Sequence, residues 1–328
     1  MKNWSDRKFL LISSALALFI AIAPYAIGQA MTPPGAQFYG NRVVAPADFS
    51  IYYSYINQGA RGLVFMYDAF TSEPHQATIF QPLWFVVGQL QNALHLSVPT
   101  AFSMARYFSI PVFLLTLWWA AKWLWPDDRF KRRTGFILSL IASGLGGIVA
   151  ALTPGNGTEL VWRYPDLWVS EAYSVLTLWS SAHFLLVTSG IIFVLIATER
   201  SWLERRWSWA VWAGVVAFGV FSLHPFHVLT WLVIWAVSAV WRWARHWRVP
   251  WGYVGRWMLV LAIGSPMLLF YAIQLFTDPI AIGRAVQNIN LSDSPTNMLI
   301  GIGIPFLLAG WGALCWRPRD DRWRWVVV

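Results

Sequence analysis

Apolar residues fall in eight long runs along the chain, at 9–30, 100–125, 135–152, 176–198, 208–223, 228–243, 257–276 and 297–316. A span needs roughly 20 apolar residues to cross ~30 Å of hydrocarbon. The pattern predicts an all-α polytopic membrane protein of about eight transmembrane helices, with residues 1–328 as a single membrane domain. A ninth run, 79–95, is weaker and contains Gln81, Gln89, Gln91 and Asn92. Tryptophan gathers beside arginine at run ends, as in Trp241-Arg242-Trp243 and Trp323-Arg324-Trp325. Indole prefers the headgroup level, so these pairs mark interface belts.

Positive charge decides whether 79–95 crosses. With that run kept out of the count and the N-terminus inside, the inner segments are 1–8, 122–134, 199–207, 241–256 and 317–328. They hold 19 of the 24 Lys and Arg residues, which matches the inward bias of basic loops. Letting 79–95 span would place Lys131-Arg132-Arg133 outside and lose the bias. The expected topology therefore has both ends on the cytoplasmic side. Residues 31–99 form a long extracytoplasmic loop with interfacial or re-entrant helices. Val326-Val327-Val328 reads as the opening of a further span, so the C-terminus is expected to be truncated.

Composition agrees. Charged residues make up 12% of the chain and hydrophobic ones 57%, against about 25% charge in soluble domains. The net charge of +9 sits in short inter-helical loops, so it reports topology rather than nucleic-acid binding. A single cysteine, Cys315, excludes an intramolecular disulfide.

The expected topology puts acids and imidazoles on the outer side: Asp48, Asp68, Glu73, His75, Glu159, Asp166, Glu171, Asp278 and Asp293, with His224 and His227 in a short turn. Phe49, Tyr52, Tyr53 and Ile56 share one helical face, which predicts an interfacial helix with Asp48 at its start. Asp48 is either the N-cap of that helix or a surface-held general base. In Tyr67–His75, Pro74 disfavours helix at Glu73. The segment is either a solvated loop or a second carboxylate with His75 beside it. Ser170 and Glu171 suit a helix start. His183 lies in an apolar helix, where an ionisable group is a functional candidate. Arg106, near the outer start of the second span, either snorkels to the interface or pairs with an anionic phosphate. His224-Pro225-Phe226-His227 reads as a tight turn or an ion site. No cofactor is assigned; a divalent metal stays open, with no ligand spacing to place it.

These residues carry a resemblance. A basic N-terminus, one span and a long outer loop with an acid on an interfacial helix resemble the GT-C superfamily of membrane glycosyltransferases. The carrying residues are Asp48, Tyr52–Gly59, Glu73, Gln81-Pro82-Leu83 and Arg106, over residues 9–125. Gln81 stands where the family's short entry motif has His. The resemblance implies inverting transfer of a hexose or pentose from a polyprenyl-phosphate-linked sugar to a glycan, lipid or protein acceptor. Asp48 and Glu73 would be catalytic, and Arg106, Arg61, Glu171, His75, His183 and Tyr52 would bind substrate. Two alternatives stand beside it: a non-catalytic lipid-binding or scaffold relative, and a membrane transporter or flippase.

Overall fold

The computed structural model describes residues 5–36, 38, 40, 46–141, 143–153, 162–170, 172–287 and 293–315. Glu159, Glu171 and Val326–Val328 lie outside them. The chain is about 78% helical, and the described residues hold one two-stranded hairpin.

Helix α1 (Asp6–Ala30) starts where the Ser5 hydroxyl accepts the Lys8 N–H. Its buried residues Phe9, Ser13, Ala17 and Ala21 recur every four positions, one stripe of a helix. Leu11, Leu16, Phe19 and Ile27 point outward. After it come α2 (Pro46–Ala60), β1 (Phe65–Met66), β2 (Ile79–Phe80), α3 (Pro82–Ala93) and α4 (Val98–Leu124). The strands pair antiparallel, Phe65 opposite Phe80. Helix α3 is about 18 Å long at 1.5 Å per residue, short of the hydrocarbon thickness. It lies against α2 so closely that a Cβ on Gly88 would meet the Ile56 carbonyl oxygen at 2.4 Å.

Next come α5 (Arg129–Ile141), α6 (Gly146–Leu152), α7 (Pro165–Trp168), α8 (Ser174–Trp179), α9 (Ala182–Leu203), α10 (Trp207–Leu223), α11 (His227–His246) and α12 (Trp251–Thr277). The chain closes with α13 (Pro279–Gln287), α14 (Pro295–Ile302) and α15 (Ile304–Cys315). Among the described residues, α1, α4, α9 and α12 are single helices long and apolar enough to cross a membrane. Their length and composition point to a membrane protein, with a wide apolar exterior that includes Phe108, Leu115, Val233 and Phe276.

Where runs were expected at 135–152 and 297–316, the helices are broken. Helices α5 and α6 meet at a 46° bend, and α14 gives way to α15 at Gly303, whose φ is +58°. The two breaks touch: Leu145 N–H donates to Ile300 C=O at 2.9 Å, and a Cβ on Gly144 would fall 1.8 Å from Gly301 O. Asp166 completes the junction. Its Oδ2 accepts the Gly146 N–H at 3.0 Å, satisfying a donor freed by the break. Burial raises Asp166 above the usual carboxylate range, against the pull of the backbone N–H groups of Gly146, Gly147 and Gly144. The run expected at 208–223 is the 17-residue α10, and that at 176–198 is split at Ser180-Ser181 into α8 and α9.

Buried side chains form three clusters. One joins α9, α10, α11 and α12 around Val194, Ala213, Phe221, Trp231 and Trp257. The second joins α1, α4 and α5 around Phe9, Phe113 and Phe136. The third, around Phe49, Ile56, Trp84 and Phe102, packs α2 and α3 on α4.

At one end of the first cluster, Glu199 and Arg242 form a buried ion pair joining α9 to α11. The Arg242 guanidinium also lies 4.3 Å from the Tyr253 ring centroid. Burying two charges is unfavourable unless each is closely matched, so the pair ties these helices in one register.

Candidate functional site

Helix α2 is the organising element. Its inner face carries Phe49, Tyr52, Tyr55 and Ile56 into the third cluster. Tyr52 stacks on Trp84 of α3, and Trp84 on Phe102 of α4, with ring centroids 5.2 and 5.5 Å apart. The Tyr52 hydroxyl lies 3.3 Å from Nε2 of His183, whose Nδ1 is 2.8 Å from the Ser181 hydroxyl. Both ring nitrogens of this buried imidazole are therefore within reach of a hydroxyl.

His183 begins a row of imidazoles. Its ring stacks on His224 at 5.1 Å, and His224 on His227 at 5.6 Å. His224 lies in the turn between α10 and α11. Burial, then the neighbouring His227, holds it far below the usual imidazole range, at about 3. The stacked rings do not converge on a point, and no group of three or more metal-ligating side chains occurs among the described residues.

The outer face of α2 is polar. Ser50, Tyr53, Ser54, Asn57, Gln58 and Arg61 line a groove of about 700 Å³, closed on its far side by Leu63, Tyr67 and Ala69. Gln58 builds that wall: its side-chain amide donates to Tyr67 C=O at 3.0 Å and accepts the Tyr67 N–H at 2.7 Å. Two tyrosines, two serines, an asparagine and an arginine give the groove both ring faces and hydrogen-bonding groups. Asp48 stands exposed in the first turn of the same helix, two residues before Ser50.

Arg106 of α4 is fully buried. Its guanidinium carbon lies 3.5 Å from the Tyr25 ring centroid and 4.8 Å from that of Tyr107. Cation–π contact of this kind stabilises a buried arginine without using its N–H groups. Among the described residues no acceptor reaches Nε, Nη1 or Nη2. Tyr25 is itself held, its hydroxyl donating to the Trp179 carbonyl. Tyr53 of the groove packs edge-on against Phe102 of α4, the helix that carries Arg106, with ring centroids 5.4 Å apart. Burial raises the Tyr53 hydroxyl to about 12, with Tyr25 adding to the shift and the Arg106 charge opposing it. One side chain thus lines the groove and feels the buried cation.

Among the described residues, the other expected site residues divide between the groove and the loop that joins the two strands. Glu73 is exposed on the loop between the strands. His75 is a loop fastener, its Nδ1 donating to Glu73 C=O at 2.8 Å and its Nε2 accepting the Asp68 N–H at 3.0 Å. Arg61 lines the groove, and Glu171 lies outside the described residues. The loop is anchored from the far side. Thr78 donates to Asp278 at 2.6 Å, which holds that carboxyl below its usual range, and Gln274 donates to Thr78 C=O. Sequence reading missed Trp84, Phe102 and Tyr25, which carry no polar signal beyond an aromatic ring. Comparison of the chain with protein-family models, curated proteins and solved structures returns no match.

Proposed function

We propose that this chain is a membrane glycosyltransferase of the GT-C type. It moves a sugar from a polyprenyl-phosphate donor to an extracytoplasmic hydroxyl on a glycan, lipid or protein. The observation that carries this reading is a polar groove on α2 whose Tyr53 packs against Phe102 of α4, the helix that holds the buried Arg106 guanidinium. Such a pairing suits a substrate with a hydroxyl-rich part and an anionic part.

In this reading the groove takes the sugar or the acceptor, and Arg106 faces the donor phosphate. Asp48 removes the acceptor proton, the acceptor oxygen attacks the anomeric carbon with inversion, and the bond from that carbon to the phosphate oxygen breaks. The lipid phosphate leaves with the bonding electrons, its charge balanced by Arg106. General-base help of this kind is worth ~10²–10⁴-fold. Glu73 orients the acceptor from the loop. The reading carries with it eight spans, cytoplasmic ends, a bacterial inner-membrane location and an interfacial α3.

The test is mass spectrometry of lipid-linked sugars and surface glycans in cells with the gene, without it, and with Asp48→Asn or Arg106→Gln. Loss of the gene should remove one glycan modification and raise its lipid-linked donor, and both variants should reproduce the loss while the protein still accumulates. Unchanged glycans in the deletion overturn the reading.

A second reading, a transporter or flippase, draws on the two helices broken where they meet at Gly144 and Gly301. Discontinuous helices are common at transport sites. Substrate flux in proteoliposomes without any transfer product would favour it.

A further inference from the structure

We propose that the cleft beside α5 is a binding site for one anionic phospholipid, held through its phosphate by Arg129 and through its acyl chains by the apolar wall of α5. The cleft has a volume of about 860 Å³ and is lined by Phe9, Arg129, Phe130, Arg133, Ile137 and Leu138. Helix α5 sorts its residues cleanly. Arg132, Arg133, Phe136 and Leu140 turn inward, while Phe130, Leu138 and Ile141 are exposed at 79, 48 and 56%. The outward residues stand eight and three positions apart, one stripe of a helix, and nothing in the described chain covers them.

The charge at the mouth of the cleft identifies the occupant. Asp6 is one carboxylate facing three arginines. Arg132 and Arg133 hold its two oxygens at 2.6 and 2.9 Å, while Arg129 reaches it only at 3.7 Å and keeps 58% of its side chain exposed. Three cations on one anion leave an excess of positive charge, and Arg129 is the member with donors turned outward. Lys131 adds a further cation nearby, paired with Asp128 at 3.3 Å. A cleft that is apolar along its length and cationic at its mouth matches an amphiphile with an anionic head, not a zwitterionic one. The apolar stripe on α5 excludes a free phosphate as the natural ligand, because an ion would leave that surface uncovered.

The experiment is native mass spectrometry of the full chain released from micelles, with phosphatidylglycerol, phosphatidylcholine or inorganic phosphate as probes. The intact protein should retain one phosphatidylglycerol at least fivefold more strongly than phosphatidylcholine. Arg129→Gln should lower that retention about fivefold, the weight of one basic residue at a lipid surface. Arg129→Lys should keep it. Phe130→Asp should lower retention of both lipids. Excess inorganic phosphate should not displace the lipid. Equal retention of the two lipids, or no change in Arg129→Gln, overturns the proposal. Displacement by inorganic phosphate overturns it in favour of a simple anion site. Arg129 is exposed and far from the α2 groove in sequence and in packing, so the outcome is independent of the glycosyltransferase reading.

Discussion

The Tyr52 hydroxyl meets Nε2 of His183 at 3.3 Å, joining α2 to the start of α9 across 131 positions of sequence. Each partner is fixed independently, Tyr52 by its stack on Trp84 and His183 by the Ser181 hydroxyl and the His224 ring. The contact therefore reports the relative placement of two elements that both pack on α4.

Tyr52→Phe removes the hydroxyl and keeps the ring. It should lower stability by about 1 kcal/mol or less, whereas Tyr52→Ala should cost about 3–5 kcal/mol through the lost stack. Thermal unfolding of both variants in micelles checks this. Equal losses would show that the ring contributes little.

His224 sets a pH dependence. Its folded-state pKa, about 3, lies below the unfolded value of 6.5. The unfolded chain then binds a proton that the folded chain refuses. The contribution is complete above pH 6.5 and is lost as pH falls toward 3. The share of His224 in that decline should be about 1.4 kcal/mol per pH unit below 6.5, and His227, also lowered by burial, adds to it. His224→Gln should flatten that slope. A slope unchanged in the variant would assign it to other groups.

Breaking the Glu199–Arg242 pair from one side should cost about 3–5 kcal/mol, because the other charge stays buried. Glu199→Gln and Arg242→Met should each show this, and the double variant Glu199→Leu with Arg242→Met should recover part of the loss. Denaturation midpoints of the three variants decide it. A double variant as unstable as the sum would mean that the two sites do not interact.

Two glycine substitutions should have opposite signs. At Gly88 a new methyl meets backbone atoms of Ile56 and Ala60 at 2.4 and 2.5 Å, so α3 must shift away from α2. That should destabilise by about 1–3 kcal/mol and disturb the Tyr52–Trp84 stack. At Gly219, inside α10, a methyl meets nothing within 4 Å. Gly219→Ala should be neutral or stabilising by up to about 1 kcal/mol. Thermal midpoints of both variants test the closeness of α2 and α3 directly.

Much of the helical framework was legible because length and apolarity act locally. Helices α1, α4 and α12 follow their apolar runs to within a few residues. The breaks at Gly144 and Gly303 were missed by a reading of apolar runs alone. Both runs stay apolar through the bend, and their breakers, the glycines at 144, 146 and 147 and the triplet Gly303-Ile304-Pro305, do not interrupt the hydropathy, while Leu145 pairs with Ile300 across the two bends. In the site, Tyr52, His183 and Arg106 stood out as polar groups in apolar surroundings. Their neighbours Trp84, Phe102 and Tyr25 did not, because an aromatic residue in an apolar run has the same signature whether it lines a site or faces lipid. The role of Asp166 was hidden for another reason: the donor it caps, Gly146 N–H, is freed only by a bend made elsewhere.

The junction of the two broken helices also carries an order in time. Leu145 N–H has its acceptor in Ile300, about 155 residues downstream, and chains emerge at roughly 5–20 residues per second, so about 8–30 s separate the two groups during translation. An unmatched amide is costly in hydrocarbon. Leu145 N–H therefore stays with water or with another acceptor until α14 arrives. A chain stopped before Ile300 should leave residues 129–152 exposed to quality-control proteases, and a truncation between α13 and α14 should be short-lived even though every earlier helix is intact.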